Sequence, residues 1–307
     1  MNRNSIKSGL VDQRDRATKR RKTKKPKIQI NEPEAKLTSW LNNQGFTESV
    51  IKSLSLKNYL NETQNFDVLP EERLRQLAIH LETKILIVPS ESNWQSLKRI
   101  YDYALNLNNK DSVLWLSFGI AAHDTAENIE NNDLKEKLYS TAESAILNSI
   151  DLNSKSSRAY YILGYLYYFQ GKKQESLNEL EKALLCENDD NVHSWAQLYK
   201  AHCLHDMKKW QKALLAYKAV NLSAFTGPVS WRVDVLKEQI AECTYFSGNK
   251  DLAETMLTEI INRYETEPKV AIDAMSYSLW NLAKNISENL NQRAQVIYDS
   301  ALGRNLN

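Results

Sequence analysis

The chain has 307 residues, of which 42% are hydrophobic and 25% are charged, so it can bury a core of globular size and is not disordered throughout. Only eight Gly and six Pro interrupt it, which favours helices joined by short turns and excludes most sheet folds. Its three cysteines are widely spaced, which excludes a disulfide framework and a thiolate zinc site. The formal net charge of +2 conceals a strongly uneven distribution of charge along the chain.

Residues 1–33 are predicted to be a disordered basic tail. Residues 1–30 hold eleven Lys and Arg but only two Asp, whereas the rest of the chain is acidic. Such a run repels itself and has almost nothing apolar to bury. It could contact nucleic acid or an acidic surface, act as a nuclear localisation signal, or simply remain solvated. The predicted contact residues are Lys19, Arg20, Arg21, Lys22, Lys24, Lys25 and Lys27.

Residues 34–90 are predicted to form three further helices. The stretches EAKLTSWLNN, TESVIKSLSLKNYL and EERLRQLAIHLETKILIV have helical character and are separated or ended by Gly45, Pro70 and Pro89. They are either degenerate repeats or an N-terminal cap, since the end of a repeat array must cover an apolar face.

One helix pattern recurs six times between residues 91 and 304. A large residue is preceded four positions earlier, and followed three positions later, by a small or apolar residue. This spacing places all three on one helix face, where the small residues let a second helix approach closely. The large residues are Tyr101, Ile146, Leu180, Tyr217, Leu257 and Tyr298, and the residues four positions before them are Leu97, Ala142, Ser176, Ala213, Ala253 and Ala294.

A more aromatic helix precedes most copies of this pattern, and the clearest example is the unit 157–190. It places Tyr160, Leu163, Gly164 and Tyr167 at positions 4, 7, 8 and 11, followed by Ser176, Leu180, Ala183 and Asn188. This unit resembles the 34-residue tetratricopeptide repeat, W-x2-L-G-x2-Y followed by A-x3-F and P. The resemblance implies an all-α fold, a right-handed α-solenoid of five to six helix pairs over residues 91–304.

The other units match less closely. Trp115, Phe118 and Gly119 begin the first unit, but about eleven additional residues separate them from Ala142. In the third unit, counting back from Ala213 places position 4 at Gln197, whereas the aromatic residues nearby favour a different start, so the register stays open. The segment IYDYAL with the following Leu-Trp also resembles the half-a-TPR repeats of RNA-processing factors, which is the second reading, and a generic helical bundle is the third.

No catalytic or cofactor motif is present in the sequence. It contains no GxGxxG, GxxxxGK[ST], GxSxG or HExxH pattern. His202 and His205 would share a helix face with Asp206 nearby, but two imidazoles without a third firm ligand make a weak metal site. The sequence therefore predicts no enzyme, no cofactor and no metal.

The family resemblance also implies a partner-binding groove, formed by positions 2, 5, 9 and 12 of the first helices. In the unit 157–190, three of these positions are tyrosines, which bring area, rigidity and a hydroxyl group to an interface. Packing by neighbouring repeats is the alternative role. The same positions, counted back from Ala213 and Ala253, extend the predicted surface to His205, Glu238 and Glu242. The predicted groove residues are Tyr161, Tyr165, Tyr168, Trp195, Leu198 and His202.

These features together predict a non-catalytic scaffold or adaptor that binds a protein or peptide. The alternative is a nucleic-acid-associated or RNA-processing assembly factor that uses its tail to contact phosphates. No apolar stretch has the length of a membrane span and the N-terminus is charged, so neither a membrane helix nor a signal peptide is expected. A cytoplasmic location is predicted, or a nuclear one in a eukaryote.

Overall fold

The computed structural model describes residues 38–39, 42, 91–186, 190–225, 230–267 and 277–301. The predicted tail and nearly all of the predicted cap lie outside these ranges. Within them, every regular element is helical, which confirms the all-α prediction. The helices are α1 (Glu91–Leu107), α2 (Ser112–Asn128), α3 (Asn132–Leu152), α4 (Ser157–Phe169), α5 (Lys173–Leu185), α6 (Asp190–Asp206), α7 (Trp210–Lys218), the 3-10 turn Leu222–Ala224, α8 (Ser230–Phe246), α9 (Lys250–Thr266), α10 (Tyr277–Ile286) and α11 (Glu288–Ala301).

The chain forms two compact units, which divide between Leu166 and Tyr167 within α4. In the compact unit that ends at Leu166, α2 and α3 form a long hairpin. The additional residues of the first repeat lengthen both helices instead of forming a loop. Asp111 caps α2 by accepting from the backbone N–H groups of Val113 and Leu114 at 2.9 and 3.0 Å. The turn between α2 and α3 contains only residues 129–131.

Aromatic packing joins α1 to this hairpin. The ring of Phe118 stacks parallel to that of Trp94 at 5.9 Å and lies 5.1 Å from that of Tyr101, measured between centroids. All three residues are buried. The large residue of IYDYAL therefore packs against a first helix, which is the role that the repeat pattern predicts for it.

In the second unit, consecutive helices pack against one another from α5 to α9, and α10 packs with α11. The α10–α11 pair also contacts α8 and α9, so the apolar core continues to the end of the described chain. Within the described ranges, no helix combines the length and the apolarity needed to cross a membrane.

Each of the six copies of the sequence pattern lies on the second helix of a repeat. These second helices are α1, α3, α5, α7, α9 and α11. The residues four positions before the large ones are at most 1% exposed, and five of the six large residues are 0% exposed. Tyr298 is the exception, because it is half-buried. The pattern thus marks the face through which each second helix contacts its neighbours.

The structure also settles the register of the third repeat. The side-chain amide of Gln197, at position 4 by the count from Ala213, donates to the carbonyl of Ala216 in α7 at 3.1 Å. Ala201, at position 8, is 0% exposed, as the small residue at this position should be. Position 15 falls in the turn of three successive repeats and has a positive φ each time: 77° at Gly171, 57° at Lys208 and 98° at Gly248.

Replacing Lys208 with Gly should raise the free energy of unfolding by about 0.5–1 kcal/mol. A left-handed conformation costs an L-residue with a side chain about 1–2 kcal/mol, and the greater entropy of Gly in the unfolded chain offsets part of this gain. Urea denaturation followed by circular dichroism would measure the change. The matched control is Lys212→Gly in the first turn of α7, which should lower stability by about 0.5–1 kcal/mol. A loss of stability in both variants would contradict the prediction.

Candidate partner-binding surface

Helix α6 carries a stripe of half-buried side chains on the face predicted to meet a partner. The stripe consists of Trp195, Leu198, His202 and His205, which hold positions 2, 5, 9 and 12 in the register now established. Their spacing of three, four and three residues places them on one side of the helix. Neighbouring positions such as Ala196, Ala201 and Cys203 are fully buried, so α6 has a core face and a separate, partly accessible face.

Three of the predicted groove residues meet around Tyr199. The rings of Tyr168, Trp195 and His202 lie 5.4, 6.4 and 5.6 Å from the ring of Tyr199, measured between centroids. Tyr199 itself is only 3% exposed, so it supports the cluster from beneath. Aromatic pairs at these distances attract one another beyond their simple burial, which favours a fixed arrangement.

Tyr161 and Tyr165 belong to the first unit and have different surroundings. They are only 6% and 8% exposed. Their ring centroids lie 6.0 Å apart, and Tyr165 contacts the ring of the buried His123 edge-on at 5.1 Å. This leaves both rings little surface to offer a ligand, whereas the half-buried Tyr168 and α6 residues retain some.

A chain of hydrogen bonds fixes His202. Its Nδ1 lies 2.8 Å from the hydroxyl of Tyr217 in α7, and this hydroxyl donates to the side-chain carbonyl of Gln239 in α8. Because the single hydroxyl proton is used on Gln239, Nδ1 of His202 is the donor to Tyr217. Burial, assisted by the charge of His205, lowers the pKa of His202 to about 4, so the ring is neutral at pH 7.

The neighbouring His205 is in the opposite protonation state. Its Nε2 lies 2.9 Å from a carboxylate oxygen of Glu242 in α8, and Asp206 lies close to Nδ1. Burial alone lowers the pKa of His205, but the carboxylates of Asp206 and Glu242 outweigh it and raise the pKa to about 9. Asp206 also pairs with Lys173 of α5 at 3.0 Å, so charged groups join three helices.

One ring nitrogen of each histidine is engaged, Nδ1 of His202 with Tyr217 and Nε2 of His205 with Glu242. Glu238, which the counted register placed on the same surface, is instead 1% exposed and accepts a 2.5 Å hydrogen bond from the hydroxyl of Tyr264. The predicted cationic tail contacts lie outside the described residues.

Two further aromatic residues extend the surface beyond the predicted set. The ring of Trp210 stacks on that of Phe246 at 4.6 Å and receives the edge of His205 at 5.1 Å. Phe246 is 43% exposed. Both residues lie at helix ends, outside positions 2, 5, 9 and 12, so the repeat pattern could not identify them. Their only signal in the sequence was an aromatic residue next to a turn.

The sequence matches no protein-family model, and no curated protein matches it. Several solved structures do resemble the chain. The apo form of RapI has 14% identity and a TM-score of 0.55, with 90% of this chain and 78% of that chain covered. The C-terminal part of a TPR repeat-containing protein from Cytophaga hutchinsonii has 12% identity and a TM-score of 0.53, with 89% and 96% covered.

PilW, a widely conserved type IV pilus biogenesis factor, has 14% identity and a TM-score of 0.52, with 77% of this chain and 95% of that chain covered. At identities this low, the likeness concerns the fold alone. The helix pairs, the buried pattern on each second helix and the glycine or left-handed residue at position 15 agree with these likenesses. The chain is therefore, by fold, a tetratricopeptide-like repeat protein, an all-α solenoid of helix-turn-helix units.

Proposed function

We propose that this chain is a non-catalytic scaffold that binds a protein or peptide partner on the α6 stripe and the adjoining Tyr168. The observation that carries the proposal is the partial exposure of Trp195, Leu198 and His202 along one side of α6. Aromatic residues with a polar group are the side chains that most often dominate the binding energy of protein interfaces.

The rigidity of this surface supports the proposal. His202 is held by Tyr217, and His205 is held by Glu242, so these rings are already ordered before a partner arrives. Binding to a preorganised surface loses less side-chain entropy, which leaves more of the contact energy as affinity. The imidazolium of His205 adds one positive charge, although Glu242 and Asp206 compensate for it.

A photo-crosslinking residue at position 198 would test the proposal. Placed in the full chain and irradiated in native lysate, it should capture a discrete protein, because Leu198 lies at the centre of the stripe. The matched control is the same residue at position 185, since Leu185 is 86% exposed but lies at the end of α5. Trp195→Ala should reduce the capture at position 198, with circular dichroism confirming that the variant folds. Equal capture at both positions would contradict the proposal.

The nucleic-acid alternative predicts a different result from the same samples. A variant of the 307-residue chain with Gln in place of the seven cations from Lys19 to Lys27 removes the phosphate contacts that this alternative predicts for the tail. If capture requires these cations, disappears after nuclease treatment and falls steeply with salt, the chain is a nucleic-acid-associated factor and the scaffold proposal fails. If capture at position 198 survives both treatments, the scaffold proposal stands.

A further inference from the structure

The compact unit that begins at Tyr167 has a second surface, a cleft of about 320 Å³ between α5 and α7, with α6 as its floor. The α6 residues that line it are Gln197, Lys200 and Leu204, which follow one another on a helix face opposite the Trp195 stripe. The cleft is therefore a different surface from the one proposed above. The full lining is Leu177, Glu181, Gln197, Lys200, Leu204, Lys209, Lys212, Leu215 and Ala216.

The cleft lies where the repeat pattern is broken at one position. Position 7 of the unit 157–190 is Leu163, which is 2% exposed, whereas position 7 of the next repeat is Lys200. A lysine cannot leave its ammonium group in an apolar gap, so the side chain extends outward, and Nζ pairs with Glu181 of α5 at 3.0 Å. The space that a leucine would fill between α5 and α7 remains open.

The lining combines apolar walls with excess positive charge. Leu177 and Leu204 line the cleft, and Leu215 at its edge is 70% exposed. Lys209 and Lys212 are exposed, and neither forms an ion pair with a carboxylate of the described residues. Glu181 is the only acidic residue of the lining, and it is already paired with Lys200.

We propose that this cleft binds an acidic peptide segment of a second protein. A leucine-like side chain of the segment inserts between Leu177, Leu204 and Leu215, and carboxylates on either side of it pair with Lys209 and Lys212. Charge complementarity selects the acidic segment, and the apolar walls favour a peptide over a nucleic acid. The lining also contains no aromatic ring on which a base could stack.

Fluorescence anisotropy with defined probes tests this proposal. The probe is a fluorescein-labelled peptide of glutamates with leucine at every fourth position. The protein is the 307-residue chain with Gln in place of all eleven Lys and Arg of residues 1–30, because the tail would itself attract an acidic probe. We expect saturable, salt-sensitive binding. Probes with Gln in place of Glu, or with Ser in place of Leu, should bind at least about tenfold more weakly.

Two variants connect the binding to the cleft. Lys209→Glu with Lys212→Glu should weaken binding at least about tenfold, whereas the matched pair Lys237→Glu with Lys250→Glu, on α8 and α9, should change it less than about twofold. Lys200→Leu with Glu181→Gln fills the gap and leaves both exposed lysines in place, so it should also abolish insertion of the leucine while the fold persists.

Three outcomes would overturn the proposal: no saturable binding of the glutamate-leucine probe, equal losses in the two lysine pairs, or equally tight binding of a labelled single-stranded oligonucleotide. None of them affects the α6 stripe, because crosslinking at position 198 is read out separately. The two proposals can therefore fail independently.

Discussion

Gly119→Ala should lower the free energy of unfolding by about 1–3 kcal/mol, although the same change inside an ordinary helix raises it by about 0.5–1 kcal/mol. Gly119 lies in α2 where it crosses α3. A Cβ atom added there would lie 2.6 Å from Cγ1 of Ile146 and 3.1 Å from the carbonyl oxygen of Ala142. Ile146 is 0% exposed and its branched side chain has little rotamer freedom in a helix, so it cannot move aside cheaply.

A double-variant cycle would isolate this steric cause. Ile146→Ala removes the Cγ1 atom, so adding Gly119→Ala to that background should cost at least about 1 kcal/mol less than it costs in the natural chain. Urea denaturation of the four proteins, followed by circular dichroism, gives the coupling energy. If the two substitutions were additive, the close crossing of α2 and α3 would not be what requires glycine at this position.

Stability should also depend on pH through the two neighbouring histidines. The folded-state pKa of His205 is about 9, above its unfolded value of about 6.5, so its contribution is complete below pH 6.5 and is lost as pH rises through 9. The folded-state pKa of His202 is about 4, so its contribution is present above pH 6.5 and is lost as pH falls through 4. Stability should therefore be greatest near pH 6.5.

Urea denaturation at a series of pH values would measure both effects. Between pH 6.5 and 9 the natural chain should lose about 2–3 kcal/mol more than His205→Gln, which lacks the titrating group. Burial raises the pKa of Cys203 to about 11 and that of Cys243 to about 12, so these thiols add an alkaline slope of their own. The thiols are present in both proteins, so their contribution cancels in the comparison. Identical pH profiles would show that the His205–Glu242 contact contributes nothing.

The second helices could be predicted from the sequence because their packing depends on local spacing. A small residue, a large one four positions later and another three positions after that share one face of any helix, wherever the neighbouring helix comes from. The count from Ala213 gave one possible register of α6 and left the choice open, and the buried Ala201 and the bond from Gln197 to α7 favour that register.

The details of the candidate surface could not be predicted, because they depend on residues that are distant in the sequence. Tyr217 meets Gln239 across 22 positions, and His205 meets Glu242 across 37. Helix α4 is apolar or aromatic on every side, so periodicity could not show that Tyr161 would be buried while Tyr168 stays partly accessible. The cleft beside Lys200 likewise exists only when two separate second helices flank it.

The hydrogen bonds around α6 also bear on how the array comes apart. The stability of a repeat protein is approximately the sum of a term for each repeat and a term for each boundary between neighbouring repeats. The Tyr217–Gln239 and His205–Glu242 bonds both cross the boundary between the third and fourth repeats, which increases the boundary term relative to the terms for the repeats themselves. Unfolding that begins in either of these two repeats should therefore include both in one cooperative step, instead of stopping at the boundary between them.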